Sequence, residues 1–187
     1  MAERDVHTLP DDLPAPEDDG ACDGLPGRRL PELTLPATSG ERVDLAALTS
    51  EGTTVLFIYP RTGRPGEPLP EGWDLIPGAR GCTPQSCAFR DLHGEFTDRG
   101  VRVIGLSAQS HEDQLEFSER VHLQFPLLSD PSLAIARALG LPTFVAGGMT
   151  LYKRVTLVIR DGEVAKVFYP IFPPDRNAAE VLAWLSG

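Results

Sequence analysis

Cysteine is scarce in this sequence, with three residues in 187. That excludes a disulfide scaffold, and in a reducing compartment so few thiols serve chemistry more readily than stapling. No apolar run is long enough to span a bilayer, which points away from the membrane. The first residues lack the basic start and apolar centre of a secretory signal, so a cytoplasmic location is expected. Lysine is nearly absent too: Lys153 and Lys166 stand against fifteen arginines, a bias best read as codon usage. The net charge of −10 argues against a broad nucleic-acid-binding face. It is also uneven, because eight acids and one base (Arg4) fall within residues 1–25.

Several site types lack their parts. No GK[ST] follows Gly63, Gly66 and Gly72, so they form no phosphate loop. No G-x-S-x-G supports a serine hydrolase. Cys82, Cys87 and His93 could begin a zinc site, but no second Cys pair or His-x3-5-His completes one. His7, His93, His111 and His122 are scattered and read as surface. No cofactor and no metal are expected.

What remains is a 41% hydrophobic, 24% charged composition, that of an ordinary globular domain. Residues 1–27 read as an acidic, Pro-rich, flexible tail in which Cys22 has no evident role. A short strand, a turn at Ser39-Gly40 and a short helix follow. "TTVLFIYP" and "VRVIGLSA" read as strands buried on both faces. Between them lies a long Gly/Pro loop, then a helix from Thr83-Pro84 to about Asp98, with Thr83 as cap. "SHEDQLEFSERVHL" is a helix opened by Ser110, "FPLLSDP" a connector, and "SLAIARALG" a short helix. "RVTLVIRDGEVAKVFYP" is a hairpin turning at Asp161-Gly162. The last helix carries Asn177 and Glu180 at capping-box spacing. This order predicts an α/β layer fold with a mixed sheet flanked by helices.

The stretch "GARGCTPQSCAFRD" carries the chemistry. It places Cys82 at a helix start, under unpaired N–H groups and the positive end of the macrodipole. Arg80 adds positive field, and both effects favour the reactive thiolate. The bland alternative is an inert cysteine packed behind the loop. Cys87 lies five residues on, about 7.5 Å further up the helix and about 140° around it. An intact helix cannot join the two thiols, because a disulfide needs Cα atoms within roughly 7 Å and facing Cβ vectors. Cys87 is then either a resolving thiol that needs the helix to open, or a core residue beside Phe89.

These residues resemble the peroxiredoxins, and within them the bacterioferritin-comigratory (PrxQ) branch. The resemblance spans roughly residues 28–186 and rests on "FIYP", "GCTPQSCAFRD", "FPLLSDP" and "RVTLVIRDGEVAKVF". It implies a thioredoxin-like fold over 28–187. It also implies metal-free reduction of hydrogen peroxide and organic hydroperoxides. By position, Cys82 resembles the peroxidatic cysteine and Cys87 the resolving one. Arg154 matches the arginine that holds the thiolate and polarises the peroxide. Pro60 matches the proline that shields the sulfur. The family motif sets that proline seven residues before the cysteine and a Thr or Ser three before it. Here Pro60 lies 22 residues before Cys82, and position 79 is alanine. Residues 64–78 thus read as an insertion, and Thr62 supplies the hydroxyl if the loop ends stay close.

The implied partners are a peroxide and a thioredoxin- or glutaredoxin-type reductant, with no nucleic acid and no membrane; the chain is a monomer or homodimer. A thioredoxin-like disulfide reductase is a rival, but it wants Cys-x-x-Cys and a proline where Lys153-Arg154-Val155 stands. A non-enzymatic redox sensor, or a member of the fold with a decayed site, are the other readings.

Overall fold

Alternation along the buried runs decides the architecture. In strand β3 (Thr53–Ile58), Val55 and Phe57 point to one side of a sheet, and Leu56 and Ile58 to the other. Side chains alternate faces along any strand, so a continuous apolar run demands cover on both. The computed structural model, which describes residues 5–187, supplies that cover.

The central sheet has five strands. From one edge to the other they are β5 (Leu127–Ser129), β4 (Val101–Ser107), β3, β8 (Val155–Arg160) and β9 (Glu163–Phe168). Strands β3, β4 and β5 are parallel, whereas β8 and β9 run antiparallel to their neighbours. This is the expected mixed sheet. On one face lie α1 (Leu45–Thr49), which buries Leu45, and α5 (Ala134–Leu139), which buries Ile135 and Leu139. On the other lie α2 (Cys82–Asp91), α3 (His93–Asp98), α4 (His111–Arg120) and α6 (Asn177–Ser186). They bury Phe89, Phe96, Phe117, Ala178 and Val181 against Val55 and Phe57. Phe57 stacks on Phe89 with ring centroids 4.4 Å apart. Gly105 of β4 permits this, since a Cβ there would lie 2.8 Å from Phe57 and 2.5 Å from Leu127.

Outside the central sheet, β1 (Thr34–Pro36) pairs with β2 (Arg42–Asp44), and β6 (Thr143–Ala146) with β7 (Met149–Tyr152). Ser110 caps α4 by accepting from the Asp113 N–H. The Asp161-Gly162 turn has both residues at positive φ, as a tight hairpin requires.

Several elements differ from expectation. "FPLLSDP" contains β5 rather than a plain connector. The helix expected to run to Asp98 breaks at Leu92 into α2 and α3. The cap of α2 is Gly81 at φ 109°, not Thr83, which lies inside the helix and is buried. Asn177 is no cap either; it is fully buried, and its Oδ1 accepts from Gln85 and Thr156. Within residues 64–78, Trp73 packs beside Phe144, but Leu75 is 79% exposed.

The expected tail begins with residues 1–4, which lie outside the described residues. The rest of it lies across the domain. Cys22 and Leu25 are buried in the core beneath β9, and Asp19 accepts hydrogen bonds from Lys153 and Tyr169. Buried apolar side chains, the Asp19 hydrogen bonds, and bonds such as Gly27 N–H to Val164 and Arg80 to the Asp5 carbonyl hold a segment whose composition suggests none of this.

Candidate active site

Gly81 fixes where Cys82 sits. Its left-handed backbone turns the chain out of the Gly/Pro loop and into α2. A side chain there would collide with Pro174 at 2.7 Å and Leu9 at 2.9 Å. Cys82 is therefore the first residue of a ten-residue helix, at the end where backbone N–H groups are unpaired. Its side chain is 3% exposed, packed with Tyr59 and Phe89. Pro84 takes the third helical position, where a missing N–H leaves no bond unmade.

Arg154 lies one residue ahead of β8 and is also buried. Its Nη2 donates to the Cys82 sulfur at 3.3 Å and to the carbonyls of Gly78, Ala79 and Arg80, each at 3.2 Å. One guanidinium thus gathers the last turn of the loop around the sulfur. Its Nη1 donates to Gln85 Oε1 at 2.6 Å. Gln85 Nε2 in turn donates to Asn177 Oδ1 at 2.9 Å, which also accepts from Thr156 at 2.8 Å. Among the described residues the acceptors of Arg154 are carbonyls, an amide and the sulfur, with no carboxylate. A buried cation without a carboxylate is costly unless another anion meets it. Arg154 Nε is likewise buried with no acceptor among the described residues.

Gln85 is the partner of Arg154 that sequence reasoning missed. It reads as a polar residue early in a helix. The available signal was spacing: three residues after Cys82 lies the same helix face.

The other expected residues are placed less directly. Pro60 is buried two residues beyond β3, after Tyr59, whose N–H bonds Leu106. Burial pushes the Tyr59 hydroxyl far above its ordinary range, and charge on Cys82 adds to that push. Thr62 is buried, but its hydroxyl donates to Gln109 Oε1 at 3.3 Å, and its N–H bonds the same oxygen at 2.9 Å. Among the described residues it makes no hydrogen bond to Cys82 or Arg154. Arg80 adds no direct partner to the sulfur: its side chain pairs with Asp74 at 3.2 Å and donates to the Asp5 carbonyl at 2.7 Å. Cys87 is half-buried against the core with Phe89, and burial raises its thiol above the ordinary range. Both thiols are free, on one continuous helix. Among the described residues no group of three or more His, Cys, Asp or Glu is placed to hold a metal. None of their helices is long and apolar enough to cross a membrane.

The redoxin family's sequence profile matches residues 25–182. A chloroplastic peroxiredoxin Q of Sedum lineare is 32% identical over 160 residues, covering 85% of this chain and 76% of that protein. The chain belongs to the peroxiredoxins. The crystal structure of peroxidoxin BcpB from Mycobacterium tuberculosis is 31% identical, with a TM-score of 0.69 over 87% of this chain and 96% of that one. A cysteine-to-serine mutant of PrxQ from Xylella fastidiosa shares the fold at 20% identity and a TM-score of 0.68, over 86% and 94% of the two chains. The expected thioredoxin-like fold and thiol peroxidase activity follow from this membership. In this peroxiredoxin 22 residues lead from Pro60 to Cys82.

Proposed function

We propose that Cys82 is the peroxidatic nucleophile, that Cys87 resolves it, and that a thioredoxin-type dithiol regenerates both. The observation that carries this reading is Arg154 Nη2 donating to the Cys82 sulfur at 3.3 Å, with both side chains buried and no carboxylate bonded to that guanidinium among the described residues. A negative sulfur is the anion such a guanidinium calls for.

The Cys82 thiolate attacks the terminal oxygen of the peroxide. The S–O bond forms as the O–O bond breaks, and the departing oxygen takes a proton to leave as water or alcohol. Arg154 and the first N–H groups of α2 oppose the developing charge. Arg154 Nε, without an acceptor among the described residues, offers a donor that the peroxide can engage. The Cys87 sulfur then attacks the sulfenic sulfur, the S–S bond forms, and water leaves. For this the first turn of α2 must open, because both cysteines lie on one helix about 140° apart. Thiol–disulfide exchange with the dithiol closes the cycle. Gln85 positions Arg154. Pro60 and Tyr59 keep water from the sulfur, and Thr62 steadies the loop start through Gln109.

The test couples hydrogen peroxide reduction to NADPH through thioredoxin and its reductase. The wild-type chain turns over and Cys82→Ser does not; retained turnover in Cys82→Ser overturns the assignment. Peptide mapping after mild oxidation is expected to find Cys82 joined to Cys87. A bond to Cys22 instead would move the resolving role.

A further inference from the structure

The N-terminal segment touches the loop that leads into α2 at several points. Val6 packs at Gly63, where a Cβ would lie 3.1 Å from it. The Asp5 carbonyl accepts from Arg80 at 2.7 Å. Leu9 lies against Gly81, the cap residue, and Pro16 lies against Gly78. The segment is then fastened at Asp19, whose carboxylate accepts from Tyr169 at 2.8 Å and Lys153 at 3.1 Å. These two bonds, Tyr169 first, hold the Asp19 carboxyl down to about 2. Lys153 adjoins Arg154, so the fastening lies next to the catalytic arginine in the chain.

Beside these contacts the segment borders a cleft of about 1250 Å³ between itself and the Gly/Pro loop, lined in part by Val6, Leu9, Leu69, Trp73 and Leu75. It is therefore gripped at a few points next to open space, unlike a strand packed on both sides.

We propose that residues 5–19 are a strap that holds the start of α2 folded, and that its release sets how fast Cys87 reaches oxidised Cys82. The proposal rests on Cys87 being the resolving thiol. Opening the first turn of α2 moves Gly81 and Cys82, and Leu9 and Pro174 lie directly against Gly81. Local openings draw on the least stable contacts, and each strap contact retained in the closed form slows them. While α2 stays closed, the sulfenic acid at Cys82 meets further peroxide. A second hydrogen peroxide then transfers an oxygen to sulfur, giving sulfinic acid and water. The strap thus trades protection of the folded site against loss of enzyme at high peroxide.

The experiment uses full-length wild-type, Leu9→Gln and Asp19→Ala chains. Rapid mixing with one equivalent of hydrogen peroxide, acid quenching and mass spectrometry follow the Cys82–Cys87 bond. Bond formation is expected to be about tenfold faster in Leu9→Gln, as loss of an apolar contact on the closed form implies, and faster to a lesser degree in Asp19→Ala. The sulfinic fraction at excess peroxide is expected to fall in step. Amide hydrogen exchange at Gln85 and Ser86 of the reduced chains, whose N–H groups close the first turn of α2, is expected to quicken in both variants, a readout independent of turnover. Equal bond-formation rates and equal exchange in all three chains overturn the strap alone. If no Cys82–Cys87 bond forms in any chain while Cys82 is oxidised, the resolving role fails and the strap's role fails with it.

Discussion

Cys82 and Cys22 are nearly equal in burial, at 3% and 5% exposed, and opposite in surroundings. Cys82 faces the Arg154 guanidinium and the open end of a helix. Cys22 sits among Asp18, Asp19 and Asp23; burial first, then those carboxylates, push its thiol up to about 12. Burial alone therefore says nothing about whether a cysteine reacts. With burial nearly equal, the two sulfurs differ in the charge beside them, a guanidinium at Cys82 and carboxylates at Cys22.

Removing the positive side of this contrast has the largest expected effect. Arg154→Gln leaves the sulfur without its cation and is expected to lower kcat/KM for hydrogen peroxide by about 10² to 10³, the usual cost of a donor that meets developing charge. Steady-state peroxide kinetics check this, and a loss under about threefold would mean that the helix end suffices. Gln85→Leu comes next. It strips a partner from Arg154 Nη1 and from Asn177, so activity is expected to fall about tenfold and unfolding free energy by about 2 kcal/mol. Denaturant melts and kinetics together check it. Unchanged kinetics with lowered stability would make Gln85 structural only.

The negative side predicts smaller effects. Alkylation of the native chain at about pH 8 is expected to modify Cys82 first and Cys22 last. The Cys22 rate should climb about tenfold per pH unit toward its value of about 12, because only the thiolate reacts. Peptide mapping over time gives the order. The raised thiol also sets a stability sign. Above the ordinary thiol value of about 8.5 the unfolded chain loses this proton first, so stability falls as pH rises toward about 12. Melts of Cys22→Ser should show a shallower alkaline decline, since the raised Cys87 and Tyr59 groups remain, and its turnover should stay within about twofold of wild type.

How much of this was legible in the sequence depended on whether a residue's role was local. Strands β3, β4 and β8 announced themselves as apolar runs, and Ser110 as a cap. Strand β5 did not, because three residues between prolines carry too little pattern. The β6–β7 hairpin went unassigned, although Gly147-Gly148, both at positive φ, marks its turn. Cys82 could be read from its place at a helix start. Arg154 could be reached only through family resemblance, since 72 residues separate it from the sulfur it touches. Gln85 and Asn177 look like surface and cap residues until the sheet brings α2, α6 and β8 together. The acidic segment hid its packing because average composition outweighs the few apolar residues that anchor it. Thr62 shows the reverse case, a hydroxyl expected at the sulfur that the fold ties to Gln109.

The central claim is that charge beside the sulfur makes Cys82 the thiol that peroxide attacks. It is tested most directly in the full-length Cys87→Ser chain, where the first oxidation product cannot be resolved at position 87. One equivalent of hydrogen peroxide is added with a carbon nucleophile selective for sulfenic acid, and the labelled peptide is mapped. The account predicts the label on Cys82, and its disappearance when Arg154→Gln is added at the same peroxide exposure. A label on Cys22, or one on Cys82 that is indifferent to Arg154, would contradict it.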